Sequence, residues 1–253
     1  MSYQKLLLTG YLCALVIALQ AADPTAQLAS ANAAYQQNDF AGAIQQYEAL
    51  LQKGYHSEAL YYNLGNSYYR TNNLGKAVLN YERALLLDPN DTDIQHNLSL
   101  VRDRLPDEID ALPTFFLARW WNGLSGWLSA QYWSIMTIGL VWLSVAGLTL
   151  WLLGSARRYK KIGFIAGLSL LVLSLLTFAL AGSRNQTIAN SNRAVVQAKE
   201  IVLRSAPDEA SKAVFTLHAG TTIQLLDQIG KWHKVVLQNG EQGWLPDASF
   251  EQI

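Results

Sequence analysis

Residues 58–91 read EALYYNLGNSYYRTNNLGKAVLNYERALLLDPND, and this stretch decides the fold of the N-terminal part of the chain. The 34 residues before it follow the same pattern. Seven residues recur at this interval: Asn32, Tyr35, Asn38, Ala43, Tyr47, Glu48 and Leu51 correspond to Asn66, Tyr69, Asn72, Ala77, Tyr81, Glu82 and Leu85. The apolar residues of each copy have helical spacing, so the period predicts a helical repeat.

The second copy resembles the tetratricopeptide repeat family at every main position. These positions are Tyr61, Leu64, Gly65, Tyr68, Ala77, Tyr81, Ala84 and Pro89. Gly65 and Ala77 allow two helices to approach closely, and Pro89 ends the second helix because it cannot continue the hydrogen-bond ladder. The first helix of the first copy is degenerate. A third helix, predicted over residues 92–105, lacks the small residue and looks like a capping helix. The sequence therefore predicts an all-α repeat domain over residues 23–105.

The resemblance implies that the first helix of each repeat lines a concave groove. Six residues are placed towards this groove: Asn32, Tyr35, Tyr62, Asn66, Tyr69 and Arg70. Tyrosine and arginine are frequent hot-spot residues in protein interfaces. An alternative for Tyr35 and Tyr69 is packing between repeats. Since such arrays usually need about three repeats for stability, we expect the domain to be stabilised by contact with the membrane-proximal helix or with a partner.

The net charge of zero is the sum of unlike segments. Residues 23–112 carry six basic and twelve acidic residues, and residues 183–253 carry seven of each. Residues 113–182 carry five basic residues and no acidic one, together with six of the eight tryptophans. No clustered positive surface typical of nucleic-acid binders is indicated. The middle segment has instead the composition of a lipid-facing region.

Two uncharged stretches, residues 134–153 and 162–182, are long enough to cross a bilayer and predict a two-helix transmembrane hairpin. Residues 154–161 between them carry four positive charges. The positive-inside rule makes this loop cytoplasmic, so both flanking domains are expected outside the cytoplasm. The predicted location is the bacterial cytoplasmic (inner) membrane, with both domains in the periplasm.

Residues 1–22 are typical of a secretory signal peptide. Lys5 precedes the uncharged run 6–19, and small residues follow that run. An uncleaved anchor is the alternative, because Leu19 or Gln20 occupies the place where a small residue usually precedes cleavage. Either outcome agrees with an exported repeat domain.

Residues 106–133 are predicted to form a linker and an interfacial helix. The aromatic and apolar residues of 115–128 fall mostly on one helical face, which favours a helix lying in the membrane interface. Simple extension of the first span is an equally good alternative. The acidic run at the start is interpreted as a solvated linker, and its members are Asp103, Asp107, Glu108 and Asp110.

Residues 190–253 show short strands separated by turn signals, which predicts a small all-β barrel. Six strands are predicted, over residues 194–196, 201–203, 214–217, 222–226, 232–237 and 243–245. Their turns contain Gly220, Gly230 and the Asn239-Gly240 pair. The order of these elements resembles the bacterial SH3-like domain. Trp232 and Trp244 could form a ligand face, although packing in the core is favoured.

No residues with the spacing of a catalytic, cofactor or metal site occur in the sequence, so an enzyme is not expected. The four histidines, His56, His96, His218 and His233, are interpreted as surface or packing residues. The sequence as a whole thus predicts a multidomain membrane protein with an all-α tetratricopeptide repeat domain, a two-helix transmembrane hairpin and a small all-β SH3-like barrel.

This order of segments resembles the BatE-like repeat proteins of the bacterial Bat aerotolerance operon, as do the stretches AYQQNDF (34–40) and LNYERA (79–84). The resemblance implies a companion role beside von Willebrand-type membrane proteins and a MoxR-type ATPase system in envelope stress. The first hypothesis is a membrane-anchored scaffold for protein partners. The alternative is a tethered module that binds peptidoglycan peptides of the cell wall.

Overall fold

A computed structural model describes residues 24–109, 112, 115–189 and 192–253. The predicted signal peptide and Asp110 lie outside these residues. Five helices form the N-terminal repeat domain: α1 (Pro24–Gln36), α2 (Phe40–Gln52), α3 (Glu58–Arg70), α4 (Leu74–Leu87) and α5 (Thr92–Arg102). The helical prediction for this region is confirmed.

The turns between paired helices repeat with the same 34-residue period. Asn38 and Asn72 adopt left-handed backbone angles, with φ of 63° and 60°, which asparagine tolerates better than most residues. The next residue caps the following helix in both copies: Asp39 accepts from the Gly42 N–H at 2.9 Å, and Asn73 caps α4 in the same way. Asn38 and Asn72 are therefore turn residues that connect the paired helices.

The core of the repeat domain is built from the positions that define the repeat. Tyr47 and Tyr81 are fully buried in equivalent places on the second helices. A Cβ atom added to Gly65 would lie 2.8 Å from the Tyr81 ring, so the glycine makes room for the tyrosine. The predicted steric role of Gly65 is therefore seen directly in the packing.

A short helix, α6 (Phe116–Gly126), follows the repeat domain. The next two helices are long and pack side by side as an apolar hairpin: α7 (Ala130–Leu153) and α8 (Arg157–Ala189). Their backbones meet at glycines, since a Cβ on Gly147 would lie 2.9 Å from the Gly167 nitrogen. Ser144 Oγ donates to Gly167 O at 2.7 Å across the same contact. Small residues and buried hydroxyls are the usual means by which helices associate in lipid.

The outer faces of the apolar hairpin expose large side chains, including Trp142 at 70%, Leu153 at 80% and Phe178 at 68%. A soluble protein rarely exposes a continuous apolar surface of this kind. Both helices are long and apolar enough to cross a membrane. The four cations that were predicted to lie in a loop belong instead to the first turns of α8, because this helix begins at Arg157.

Helix α6 (Phe116–Gly126) is separate from α7, because Ser129 starts the next helix and its Oγ accepts from the Tyr132 N–H at 3.5 Å. The interpretation of residues 115–128 as an extension of the first span is therefore wrong. Trp121 and Leu124 of α6 pack against Trp133 at the start of α7. The aromatic residues on the other face of α6 remain exposed.

The C-terminal domain is an antiparallel sheet with the strand order β3-β2-β6-β5-β4-β1-β7. The strands are β1 (Arg193–Val196), β2 (Glu200–Arg204), β3 (Ala213–His218), β4 (Thr222–Ile229), β5 (Trp232–Val236), β6 (Gln242–Pro246) and β7 (Phe250–Gln252). All six predicted strands are present, and Gly220, Gly230 and Gly240 adopt positive φ in the predicted turns. The seventh strand, β7, was not predicted.

Strand alternation corrects the interpretation of two tryptophans. Val235 and Leu245 point into the core of the C-terminal domain, where both are fully buried. Trp232 and Trp244 occupy alternate positions on the same strands and are half-buried outside that core. The favoured prediction of core packing for these tryptophans is therefore wrong.

Candidate protein-binding groove and its supports

Hydrogen bonds within each repeat hold the predicted groove asparagines in place. Asn32 Oδ1 accepts from Tyr47 OH at 2.6 Å, and Asn66 Oδ1 accepts from Tyr81 OH at the same distance. Burial, with a smaller contribution from Tyr35, raises the pKa of Tyr47 to about 12. This hydroxyl therefore stays protonated and continues to donate throughout the neutral range.

A second set of bonds joins each repeat to the next. Asn63 Nδ2 donates to Asn32 Oδ1 at 3.1 Å, and Asn97 Nδ2 donates to Asn66 Oδ1 at 3.0 Å. The two bonds are related by the 34-residue period, although Asn97 lies on α5. Helix α5 therefore continues the repeat geometry as the first helix of a third unit, in addition to covering the end of the array.

Arginines at equivalent positions lie over aromatic rings along the same side of the domain. The Arg70 guanidinium is 4.3 Å from the centre of the Phe40 ring, and its Nη2 is 3.5 Å from Asn38 Oδ1. Arg104 lies 5.1 Å from the centre of the Tyr69 ring. These contacts hold two cations in defined positions near the predicted groove residues without neutralising them.

The structure places all six predicted groove residues on the first helices α1 and α3. Tyr35 and Tyr69 are half-buried against the repeat core, and the Tyr35 ring meets Phe40 edge-on at 5.3 Å. Tyr62 OH accepts from Asn97 Nδ2 at 3.0 Å. Packing between repeats thus accounts for part of the surface of these tyrosines, whereas Arg70 is exposed.

The C-terminal domain packs directly on the repeat domain, which the sequence did not predict. Val195 of β1 is fully buried in the repeat core, and Ile253 packs beside it. Glu251 of β7 forms ion pairs with Lys76 at 2.6 Å and with Arg83 at 3.1 Å, both on α4. The C-terminal domain therefore covers the side of α4 and supplies the support that a short repeat array needs.

A buried carboxylate lies at the centre of this interface. The Glu82 side chain is 4% exposed and pairs with Arg102 at 2.5 Å and with Arg193 at 2.9 Å. In the preceding repeat the equivalent Glu48 accepts a hydrogen bond from Tyr68 OH instead. Arg102 lies 34 residues after Tyr68, so the partner of Glu82 is a cation where the partner of Glu48 is a neutral hydroxyl. Arg193 of the C-terminal domain is a second cation bound to Glu82.

The segment after α5 is a strap rather than the solvated linker that was predicted. This strap comprises residues 103–109 and Leu112, whose N–H donates to Gln238 O at 2.9 Å. Asp107 accepts from the His218 N–H at 2.7 Å and from Thr221 Oγ1 at 2.5 Å, and lies 2.6 Å from His218 Nδ1. Ile109 packs against the core of the C-terminal domain. The strap therefore fastens the two domains together, while Asp103 and Glu108 are exposed.

Two interface carboxylates have lowered pKa values. Burial alone would raise the pKa of Asp107, but hydrogen bonds from Thr221 and His218 outweigh it and the pKa falls below its ordinary value. Burial likewise opposes ionisation of Glu251, and the hydrogen bond and charge of Lys76, with those of Arg83, lower its pKa. Both carboxylates therefore favour the docked arrangement in their charged form.

Comparison with known families agrees with the two modules. Residues 28–93 match the tetratricopeptide repeat, and residues 199–250 match the bacterial SH3 domain. No curated protein matches the chain. The molecule thus combines a region similar to a protein-interaction repeat with a region similar to a bacterial SH3 domain, and two helices apolar enough to span a membrane connect them.

Proposed function

We propose that the protein is a membrane-anchored scaffold whose repeat domain binds a protein partner in the first-helix groove. The observation that carries this proposal is the position of the C-terminal domain. It packs on α4, where Glu251 pairs with Lys76 and Arg193 pairs with Glu82, and so supports the array from the second-helix side. The face formed by α1 and α3 stays available for a partner.

The groove has the properties of a protein-binding surface rather than of a reaction centre. Tyr62 and Arg70 supply aromatic area and a held cation, both of which are common among interface hot spots. The asparagine side chains join neighbouring helices by hydrogen bonds, so that little ordering is required on binding. We therefore propose a binding function and no enzymatic one.

In the proposed topology both domains lie on the extracytoplasmic side of the bacterial cytoplasmic membrane. The four cations at the start of α8 support this orientation. The resemblance to BatE-like proteins supports a partner with a von Willebrand-type domain in a Bat-type aerotolerance or envelope-stress complex, alongside a MoxR-type ATPase system.

A site-specific photo-crosslinker tests the groove in native membranes. Placed at Arg70 of the full chain, it should join a protein with a von Willebrand-type domain. The control position is Gln45 on α2, which is exposed on a second helix. Equal crosslinking from both positions, or crosslinking only from Gln45, would contradict the groove assignment.

Cysteine labelling tests the orientation. In a Cys13→Ser background, the variant Ser211→Cys should react from the outside of intact cells with an impermeant reagent, and Ser155→Cys in the turn of the hairpin should not. Labelling of Ser155→Cys alone would reverse the proposed topology.

Cell-wall binding is the second candidate, and one feature of the C-terminal domain favours it. Trp232 lines a shallow cleft with Arg204, Glu200 and Pro246, on the outer face of the sheet. Aromatic and charged groups together could hold a peptide. Retention of the full chain on purified cell wall, lost in Trp232→Ala and kept in the exposed β3 variant Val214→Ala, would support this function. If the full chain is not retained on purified cell wall, this second function is excluded and the protein-binding scaffold remains as the proposed function.

A further inference from the structure

A cleft lies where the repeat domain meets the base of the apolar hairpin. Its walls are the end of α4 with Pro89, and the turn between α6 and α7. Asp88, Trp127, Tyr132 and Arg184 contribute its polar and aromatic groups. The groove on α1 and α3 does not use any of these residues.

Arg184 is the unusual group in this cleft. It lies on α8, two residues beyond the predicted span 162–182, and is only 4% exposed. Its Nη2 donates to Leu86 O at 2.7 Å and to Leu87 O at 2.9 Å, which are carbonyl groups at the end of α4. Its Nε is buried and has no hydrogen-bond partner among the described residues. A cation buried in this way keeps unused donor capacity.

The start of α7 adds a second positive element to the cleft. Ser129 lines it, and the Ser129 Oγ bond to the Tyr132 N–H is long, at 3.5 Å. The first-turn N–H groups of a 24-residue helix attract anions. The cleft therefore combines a helix N-terminus with a buried arginine, and both favour a phosphate.

Asp88 gives the cleft a negative group as well. Its Oδ1 accepts from the Asn90 N–H at 3.1 Å, and Asp88 is an exposed residue that lines the cleft. A ligand with a single negative charge would be repelled by this carboxylate. A ligand that carries a phosphate and an ammonium a few atoms apart would satisfy both signs of charge.

The position of the cleft indicates where such a ligand comes from. Trp127 and Tyr132 are 71% and 64% exposed beside it, and amphipathic aromatic residues are concentrated at the membrane interface. We propose that the cleft binds the headgroup of a phospholipid of the phosphoethanolamine type. The phosphate lies towards Arg184 and the start of α7, and the ammonium lies towards Asp88.

This inference rests on the proposed insertion of the apolar hairpin in a membrane, and it deepens that proposal by naming a lipid. Phosphocholine differs from phosphoethanolamine in having no N–H to donate to Asp88. Phosphoglycerol has no cation at all. The cleft should therefore discriminate among three lipids that share the same phosphate.

The test titrates the full chain, purified in detergent, with short-chain phosphatidylethanolamine, phosphatidylcholine and phosphatidylglycerol, and counts bound lipid by native mass spectrometry. We expect one phosphatidylethanolamine bound about tenfold more tightly than the other two, as one charge-assisted hydrogen bond would provide. Asp88→Asn should abolish this preference, and Arg184→Gln should weaken binding of phosphatidylethanolamine about tenfold. Arg119→Gln, an exposed cation on α6, is the control and should bind as the wild type does.

Equal affinity for the three lipids, or an unchanged preference in Asp88→Asn, would overturn the proposal. Asp88→Asn is informative even if Arg184→Gln unfolds, because Arg184 also donates to the end of α4. Carbonate extraction of native membranes tests insertion separately. If the chain resists extraction but shows no lipid preference, the proposed membrane insertion stands and the lipid site does not. If carbonate extracts the chain, both proposals fail.

Discussion

Replacement of Asp107 by alanine should release the strap from the C-terminal domain. The carboxylate is 6% exposed and accepts hydrogen bonds of 2.5 Å from Thr221 Oγ1 and 2.7 Å from the His218 N–H, with His218 Nδ1 at 2.6 Å. Alanine removes all of these contacts at once. The His218 amide and the Thr221 hydroxyl then lose their acceptor in a place with little access to water.

The expected cost follows from these contacts. A hydrogen bond to a charged group contributes about 1.5–3 kcal/mol, and several bonds to one group are not additive. Loss of one member of a buried charged network costs about 3–5 kcal/mol, which we take as the estimate for docking of the strap. Opening of the strap should then become about 150- to 5,000-fold more frequent.

Hydrogen exchange measures this opening directly, because the His218 N–H is one of the donors. Its protection in the full chain should fall by about 150- to 5,000-fold in Asp107→Ala. Asp103→Ala is the matched control, since Asp103 lies on the same strap and is exposed. Equal protection in the two variants would show that the strap is held by other contacts, and our reasoning would be refuted.

The pH dependence of the same amide provides an independent check. The pKa of Asp107 is lower in the folded protein than in the unfolded chain, so its contribution is complete above the ordinary aspartate pKa, about 4. The contribution should be lost as pH falls through the lowered value. After correction for intrinsic exchange, wild-type protection should therefore decline in acid, and Asp107→Ala should lack this component.

Two glycine pairs test the packing of the helices. Gly65→Ala should destabilise the repeat domain by up to about 2 kcal/mol in chemical denaturation, because overpacking against the buried Tyr81 ring exceeds the gain in helix propensity. Gly123→Ala on α6 meets no atom within 4 Å and should be neutral or slightly stabilising; equal effects would contradict the close approach. Gly167→Leu should lower the melting temperature of the full chain in detergent, since its side chain would enter α7. Gly139 on α7 faces open space, so Gly139→Leu should leave the melting temperature unchanged. An equal decrease in both variants would indicate a general effect on the helices and contradict the close contact at Gly167.

Local features of the sequence predicted the elements well. The 34-residue period located the recurring turns at Asn38 and Asn72, because each copy carries its own turn and cap residues. The turn glycines and apolar runs located six strands. The strand β7 was missed because its residues, Phe250–Gln252, are too short and polar to show a pattern, and they are held by pairing with β1.

Contacts between distant segments could not be predicted in the same way. Asp107 looked like one member of an acidic run, and only the position of His218 and Thr221 shows that it is buried. Val195 likewise alternates as an ordinary strand residue but packs in the repeat core. For Trp232 the sequence did contain a signal. Trp232 is three residues from Val235, and residues an odd number apart lie on opposite faces of a strand, so Trp232 lies on the outer face.

The docked C-terminal domain explains how so short an array can be stable. Asn97 of α5 and Arg104 at the start of the strap repeat the contacts of a first helix, but no second helix follows α5 before the strap. The C-terminal domain contacts α4 and the strap instead, and the Arg193 contact with Glu82 adds a charge that the earlier repeat lacks. A partner that entered the first-helix groove would therefore meet a surface fixed by both domains. Loosening the strap should weaken binding of that partner, even though the strap lies outside the groove. The array would then have to be ordered when the partner binds, and this cost reduces the free energy of binding.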